Sequence, residues 1–198
     1  MSSCPEAGRP VLIAPPLTGR RSYVHGADIL DALVAATGAE GDLVLVLRIA
    51  GDCAIEAAPE TAADGRPVCG RFRYVRNGVP HRLSLRHRPD RPIRHRRAGD
   101  DDALLRAAVL AGDRATQPAG PGGTLHRAVA LTLALLEGPY PDDHWTIAEI
   151  GCATVPPADG AIAVTTAPRL GGRFWRAEIA VDDRPLGHVL LARGSPRR

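Results

Sequence analysis

His25, Asp28 and Asp31 follow one another at three-residue intervals. On a helix that interval is close to one turn, so the spacing predicts all three on one face. An imidazole beside carboxylates can take and return a proton, which is general acid–base chemistry. Two structural roles compete with that reading. Asp28 falls where a helix begins, and a carboxylate there caps free N–H groups and complements the macrodipole. Asp31 lies inside the apolar run Ile29-Leu30-Asp31-Ala32-Leu33-Val34. A carboxylate buried in such a run needs a hydrogen-bond partner or a raised pKa. A second histidine, His126, opens a second apolar run, either as a proton carrier or as a helix-start residue. Arg127 after it either holds an anion or points to solvent.

Other reactive types have weaker settings. His81 and His188 fall in matching places of two strand-like runs and read as outer-face residues. Cys53 and Cys152 have no base beside them in sequence, so buried packing is the expectation over a nucleophile. The four cysteines form no CxxC pair and no zinc spacing. No Gly-x-Ser-x-Gly elbow and no phosphate loop occurs. The expectation is an apo protein, with no metal and no cofactor.

All 25 basic residues among the 198 are Arg, which reflects a GC-rich coding bias before it reflects function. The distribution says more. Residues 71–97 hold ten Arg and one acid, Asp90, in a chain whose net charge is only +3. Arg73, Arg82, Arg86 and Arg88 at strand spacing would share one side of a sheet, either as a solvated face or as a dock for phosphates or carboxylates. Nucleic acid ranks last as a partner, because aromatics make up 4% of the chain and no recognition helix is visible. The longest nearly apolar stretch, 128–136, is far short of the roughly 20 residues a membrane span needs. A cytoplasmic protein with reduced thiols and no membrane partner is the expectation.

The elements that carry these residues recur. Val24-His25-Gly26-Ala27 and Leu125-His126-Arg127-Ala128 each lead into an apolar helix that stops at a glycine, Gly38 or Gly138. A strand-like run follows each, then a Gly/Cys/Ala step, then a two-strand unit. The turns are Asn77-Gly78 and Asp182-Asp183, residues that accept positive φ. Both helices are apolar nearly all round, which predicts burial. Between the repeats, Asp100-Asp101-Asp102 and the run 103–110 predict a short surface helix stopped by Gly112, and 118–123 a flexible tether.

Ile29-Leu30-Asp31-Ala32-Leu33-Val34-Ala35-Ala36 resembles the helix of hotdog-fold 3-hydroxyacyl thioester dehydratases. Leu125-His126-Arg127-Ala128-Val129-Ala130 is similar to a His-Arg motif of the A-factor synthase family, although Leu131 stands where that family has an acid. The dehydratases' Gly-His-Phe-Pro-Gly-like loop is absent. The resemblance implies an α+β protein of two fused hotdog-like repeats, each a curved antiparallel sheet around one central helix. The halves would be 1–97 and 124–198, with 98–123 as a linker with a short helix. The family's sites pair a His from one hotdog with an acid from another, which implies Asp31, His126 and His25 as acid–base groups and Arg127, Arg73, Arg82 and Arg86 as substrate or carrier contacts. The implied activity is dehydration or hydrolysis of an acyl thioester on coenzyme A or acyl carrier protein, in a fatty-acid or natural-product pathway. A homo-oligomer is also compatible with the fold. The alternatives are a non-catalytic acyl- or carrier-binding module and, third, a nucleic-acid binder.

Overall fold

The computed structural model describes residues 10–18, 23–48, 51–61, 65–98 and 104–194. The chain divides into two compact units, residues 1–99 and 100–198.

The first unit contains β1 (Val11–Ile13), β2 (Leu17–Thr18), α1 (Gly26–Thr37), β3 (Gly41–Leu47), β4 (Cys53–Pro59), β5 (Val68–Arg76), β6 (Val79–Pro92) and β7 (Arg96–Arg97). Its antiparallel sheet runs β1-β4-β6-β5-β3, and β2 pairs with β7 in a separate parallel ribbon. Ala27, Ile29, Leu30 and Leu33 of α1 are buried together with Leu43, Leu45, Ile55, Phe72 and Leu85 of the strands. Alternation along β3 and β5 supplies those side chains to one face. Gly38 ends α1 at φ 66°, where its N–H reaches Val34 O. That left-handed stop suits glycine, which has no Cβ to crowd the next carbonyl.

The second unit contains β8 (Val109–Ala111), β9 (Arg114–Gln117), α2 (Thr124–Glu137), β10 (His144–Thr154), β11 (Ile162–Arg169), β12 (Phe174–Val181) and β13 (Arg184–Gly194). Its antiparallel sheet runs β8-β9-β11-β12-β13-β10. Leu125, Ala128, Val129, Leu131 and Leu136 of α2 are buried, as are Ile150, Val164, Ile179, Val189 and Leu191 of the strands.

Each unit is therefore one helix packed on an antiparallel sheet, and the α+β expectation holds. Both hairpin turns form as the residues demand, with Asn77 and Gly78 at φ 50° and 72° and Asp182 and Asp183 at 50° and 61°. The halves differ in the sense of the last hairpin. In the first unit β5 lies beside β3 and β6 beside β4. In the second, β12 lies beside β11 and β13 beside β10.

Three local expectations are corrected. The linker helix fails past Leu104: residues 105–107 turn, and Val109 and Leu110 enter β8. Its start, 99–103, lies outside the described residues. A short apolar run has no period that separates helix from strand, and here pairing along β9 decides for strand. Gly112, expected to stop a helix, instead opens the turn between β8 and β9 at φ 60°. The Pro/Gly stretch 118–123 is not a loose tether either. Arg127 holds Pro118 O at 2.8 Å, and Gly120 N–H bonds Asp159 at 2.8 Å.

Candidate functional site

At the start of α1, His25 occupies the N-cap position and is buried, and its side chain does not cap the helix. Asp28 is buried as well. Arg97 donates to its Oδ1 at 2.7 Å and Thr18 to its Oδ2 at 3.1 Å. The β2–β7 ribbon makes this possible by setting Thr18 level with Arg97 above the helix. Asp28 is thus a clasp between ribbon and helix.

Asp31 is exposed, so the cost of burying a carboxylate does not arise there. Nor does it share a face with His25. A three-residue step advances about 300°, so two steps leave Asp31 about 120° round the helix from His25.

Arg73 and Arg82 are cross-strand partners on β5 and β6, and both are exposed. Arg86 is buried, contrary to a wholly solvated Arg face. Arg88 bonds Glu56 at 2.7 Å and Asp90 at 2.9 Å, and Arg66 bonds the other Glu56 oxygen at 2.5 Å. Burial opposes the Glu56 charge, but the two guanidinium bonds outweigh it and hold its pKa below the usual value. The Arg segment therefore divides into guanidiniums bonded within the unit and exposed ones, Arg73, Arg82 and Arg94 among them.

At the start of α2, His126 is half-buried. Arg127 is 1% exposed, which corrects the picture of a side chain pointing to solvent. It donates to Pro118 O at 2.8 Å, Gly160 O at 2.7 Å and Asp159 Oδ1 at 3.1 Å. These bonds tie two loops to the helix start. Asp159 Oδ1 also accepts the N–H groups of Gly120 and Gly160, both at 2.8 Å. Those backbone bonds, with Arg127 nearby, hold the Asp159 pKa down. Leu131 is fully buried, so an apolar contact replaces the acid expected by resemblance.

Two histidine rings lie within 3.0 Å of where a glycine Cβ would stand. His188 packs on Gly151 and bonds Glu149 at 2.8 Å through Nε2. His87 packs on Gly51. His81, the residue matched to His188 by sequence, instead stacks on Tyr74 at 4.9 Å. Cys53 and Cys152 are buried as expected, but they are not equivalent: Cys53 opens β4 and Cys152 lies within β10. Sequence reading passed over His87 because the Arg-rich run around it masks its position. Its alternation with Leu85 was the available signal.

An open groove of about 450 Å³ in the second unit is lined by Val109, Arg114, Thr116, Gln117, Ile162 and Asp182, none of them an expected site residue. Among the described residues, no group of three or more His, Cys, Asp or Glu could hold a metal ion. No helix among them is long and apolar enough to cross a membrane.

No family model matches the sequence, and no curated protein matches it. Solved structures do match in fold. GphF dehydratase 1 is similar over 94% of this chain and 93% of its own, with TM-score 0.50 and 11% identity. The dehydratase domain of RzxB from Pseudomonas fluorescens is similar over 96% and 94%, with TM-score 0.48 and 14% identity. The dehydratase domain of PpsC from Mycobacterium tuberculosis, solved in complex with C12:1-CoA, is similar over 87% and 85%, with TM-score 0.47 and 16% identity. With the sheet-and-helix units above, the likeness to the first identifies the hotdog fold.

Proposed function

We propose that this chain processes an acyl thioester carried on coenzyme A or acyl carrier protein, with dehydration of a 3-hydroxyacyl group as the leading reaction and hydrolysis as the other. The observation that carries the reading is the repeated histidine at a helix start, His25 before α1 and His126 in the first turn of α2, on a hotdog fold. An imidazole there can move a proton at neutral pH, and the helix start can polarise a carbonyl. His126 and Asp31 are the assigned acid–base groups, with His25 supporting. Arg73 and Arg82 are the exposed cations suited to carrier or coenzyme phosphates. Arg86 and Arg127 are buried and serve this reading only through the structure they hold. A natural-product or fatty-acid pathway and a cytoplasmic setting belong to the same proposal.

The test is incubation with 3-hydroxyacyl thioesters on both carriers, followed by mass spectrometry. Loss of about 18 Da, one water, is the expected result. Asp31→Asn and His126→Ala should each lower turnover by about 10²-fold or more. Full turnover in both variants would overturn the site assignment.

A second reading is favoured by Leu131, the buried apolar residue standing where a related family has its acid. In that reading the chain binds acyl carrier protein without turnover. Carrier binding by wild type, weakened in Arg73→Ala/Arg82→Ala and with no product formed, would select it.

A further inference from the structure

His87 is a half-buried imidazole that the reading above does not use. It shares its face of β6 with Leu85, which is fully buried, and its cross-strand partner Ile55 is buried too. The ring lies flat against Gly51. A Cβ added there would stand 3.0 Å from Cε1, 3.2 Å from Nε2 and 3.4 Å from Nδ1. Gly51 O in turn accepts the Val24 N–H at 2.9 Å, one residue before His25 and two before α1. The ring, Gly51 and the start of α1 therefore form one cluster inside the first unit.

Nε2 of His87 is buried without a hydrogen-bond partner. Native chains satisfy nearly all such atoms, and each exception calls for an explanation, a catalytic role among them. His188 is the internal contrast, because it packs on a glycine too but its Nε2 is bonded to Glu149. Burial lowers the His87 pKa, and Asp52 pulls weakly the other way. Titratable groups on the elements packed against it include Cys53 and Glu56 on β4, Cys69 and Tyr74 on β5, and His25 before α1.

We propose that His87 takes and returns the proton at an acyl-thioester site beside Gly51 and the start of α1. The inference rests on the thioester reading above and places on His87 the proton transfer that the reading gave to His126 and Asp31. The imidazole removes the α-proton of a 3-hydroxyacyl thioester. The Cα–H electron pair becomes the Cα=Cβ bond and the Cβ–O bond breaks. The imidazolium then gives the same proton to the departing hydroxide, so water leaves and His87 is neutral again. Gly51 belongs to the site because any side chain there displaces the ring.

The test uses the full chain, 3-hydroxyacyl-CoA as substrate and the variants His87→Gln and Gly51→Ala. His87→Gln should lower kcat by about 10²-fold with little change in KM, and should remove the acid limb of the kcat–pH profile. That limb should lie below 6.5, the ordinary histidine value. Gly51→Ala should shift the limb and retain part of kcat. A second measurement needs no variant: the His87 imidazole resonances of the wild type should move when a 3-hydroxyacyl thioether of coenzyme A is added. Unmoved resonances, or wild-type kcat and an unchanged acid limb in His87→Gln, would overturn the assignment and leave the thioester reading standing. A wild-type chain that converts no acyl thioester would overturn both.

Discussion

Arg127 shows how far one residue's role depends on its surroundings. As a residue after a histidine at a helix start, it reads as an anion contact. In the fold it is buried and its bonds go to Pro118 O, Gly160 O and Asp159. Arg127→Met should cost about 1–3 kcal/mol, because the buried Gly160 carbonyl and the Pro118 carbonyl lose a charged donor. Urea unfolding at neutral pH measures it, and an unchanged midpoint would contradict the loop-holding role. Cys69 makes a second case at this scale. Burial pushes its thiol up to about 11, ahead of the opposing backbone bonds. In the native protein at pH 8, Cys69 should stay unlabelled by a thiol reagent and react only on unfolding.

At the scale of the element, the two hairpins share a turn geometry but not turn residues. Asn77-Gly78 is well suited to it, whereas Asp183 holds φ 61° with a side chain in place. Asp183→Gly should stabilise the chain by roughly 1 kcal/mol, read as a raised midpoint in thermal melting. Asp182 should not be changed with it, because its Oδ1 accepts the Ala161 N–H at 2.9 Å. The β10–β13 pairing carries a sharper constraint. A Cβ at Gly151 would overlap the His188 ring. Gly151→Ala should therefore cost about 1–3 kcal/mol, and adding His188→Ala should recover part of the loss. Equal stability of the single and double variants would show that the ring moves aside freely.

For the whole molecule, stability on the acid side should fall in two stages. The His87 pKa is lowered by burial, so the folded state binds that proton less well than the unfolded chain. Its contribution is present above 6.5, the ordinary value, and is lost as pH falls through the lowered folded value. Glu56 and Asp159 also have lowered values, with ordinary values of 4.5 and 3.8. Their contribution is present above those values and is lost as pH falls further. Urea midpoints against pH should show both slopes, and His87→Gln should remove only the first. A single slope confined to pH below 4.5 in wild type would contradict the buried state of His87.

What was legible in the sequence was local. Apolar runs ending at glycine specified α1, and Asn77-Gly78 and Asp182-Asp183 specified their turns, because φ preference and period act within a few residues. The repeated order of helix, strand and hairpin was legible for the same reason, and with it the fold class. What only the tertiary structure decided depends on pairing between distant segments. It set the opposite sense of the two final hairpins and made 109–111 a strand, since a short apolar run lacks a decisive period until a neighbour pairs with it. It left Asp31 exposed, because the sheet packs against the face of α1 that carries Ala27, Leu30 and Leu33. It also brought Gly51 under His87 across 36 residues of chain. Such a contact exists only once β4 and β6 have paired, and no spacing in the sequence records it.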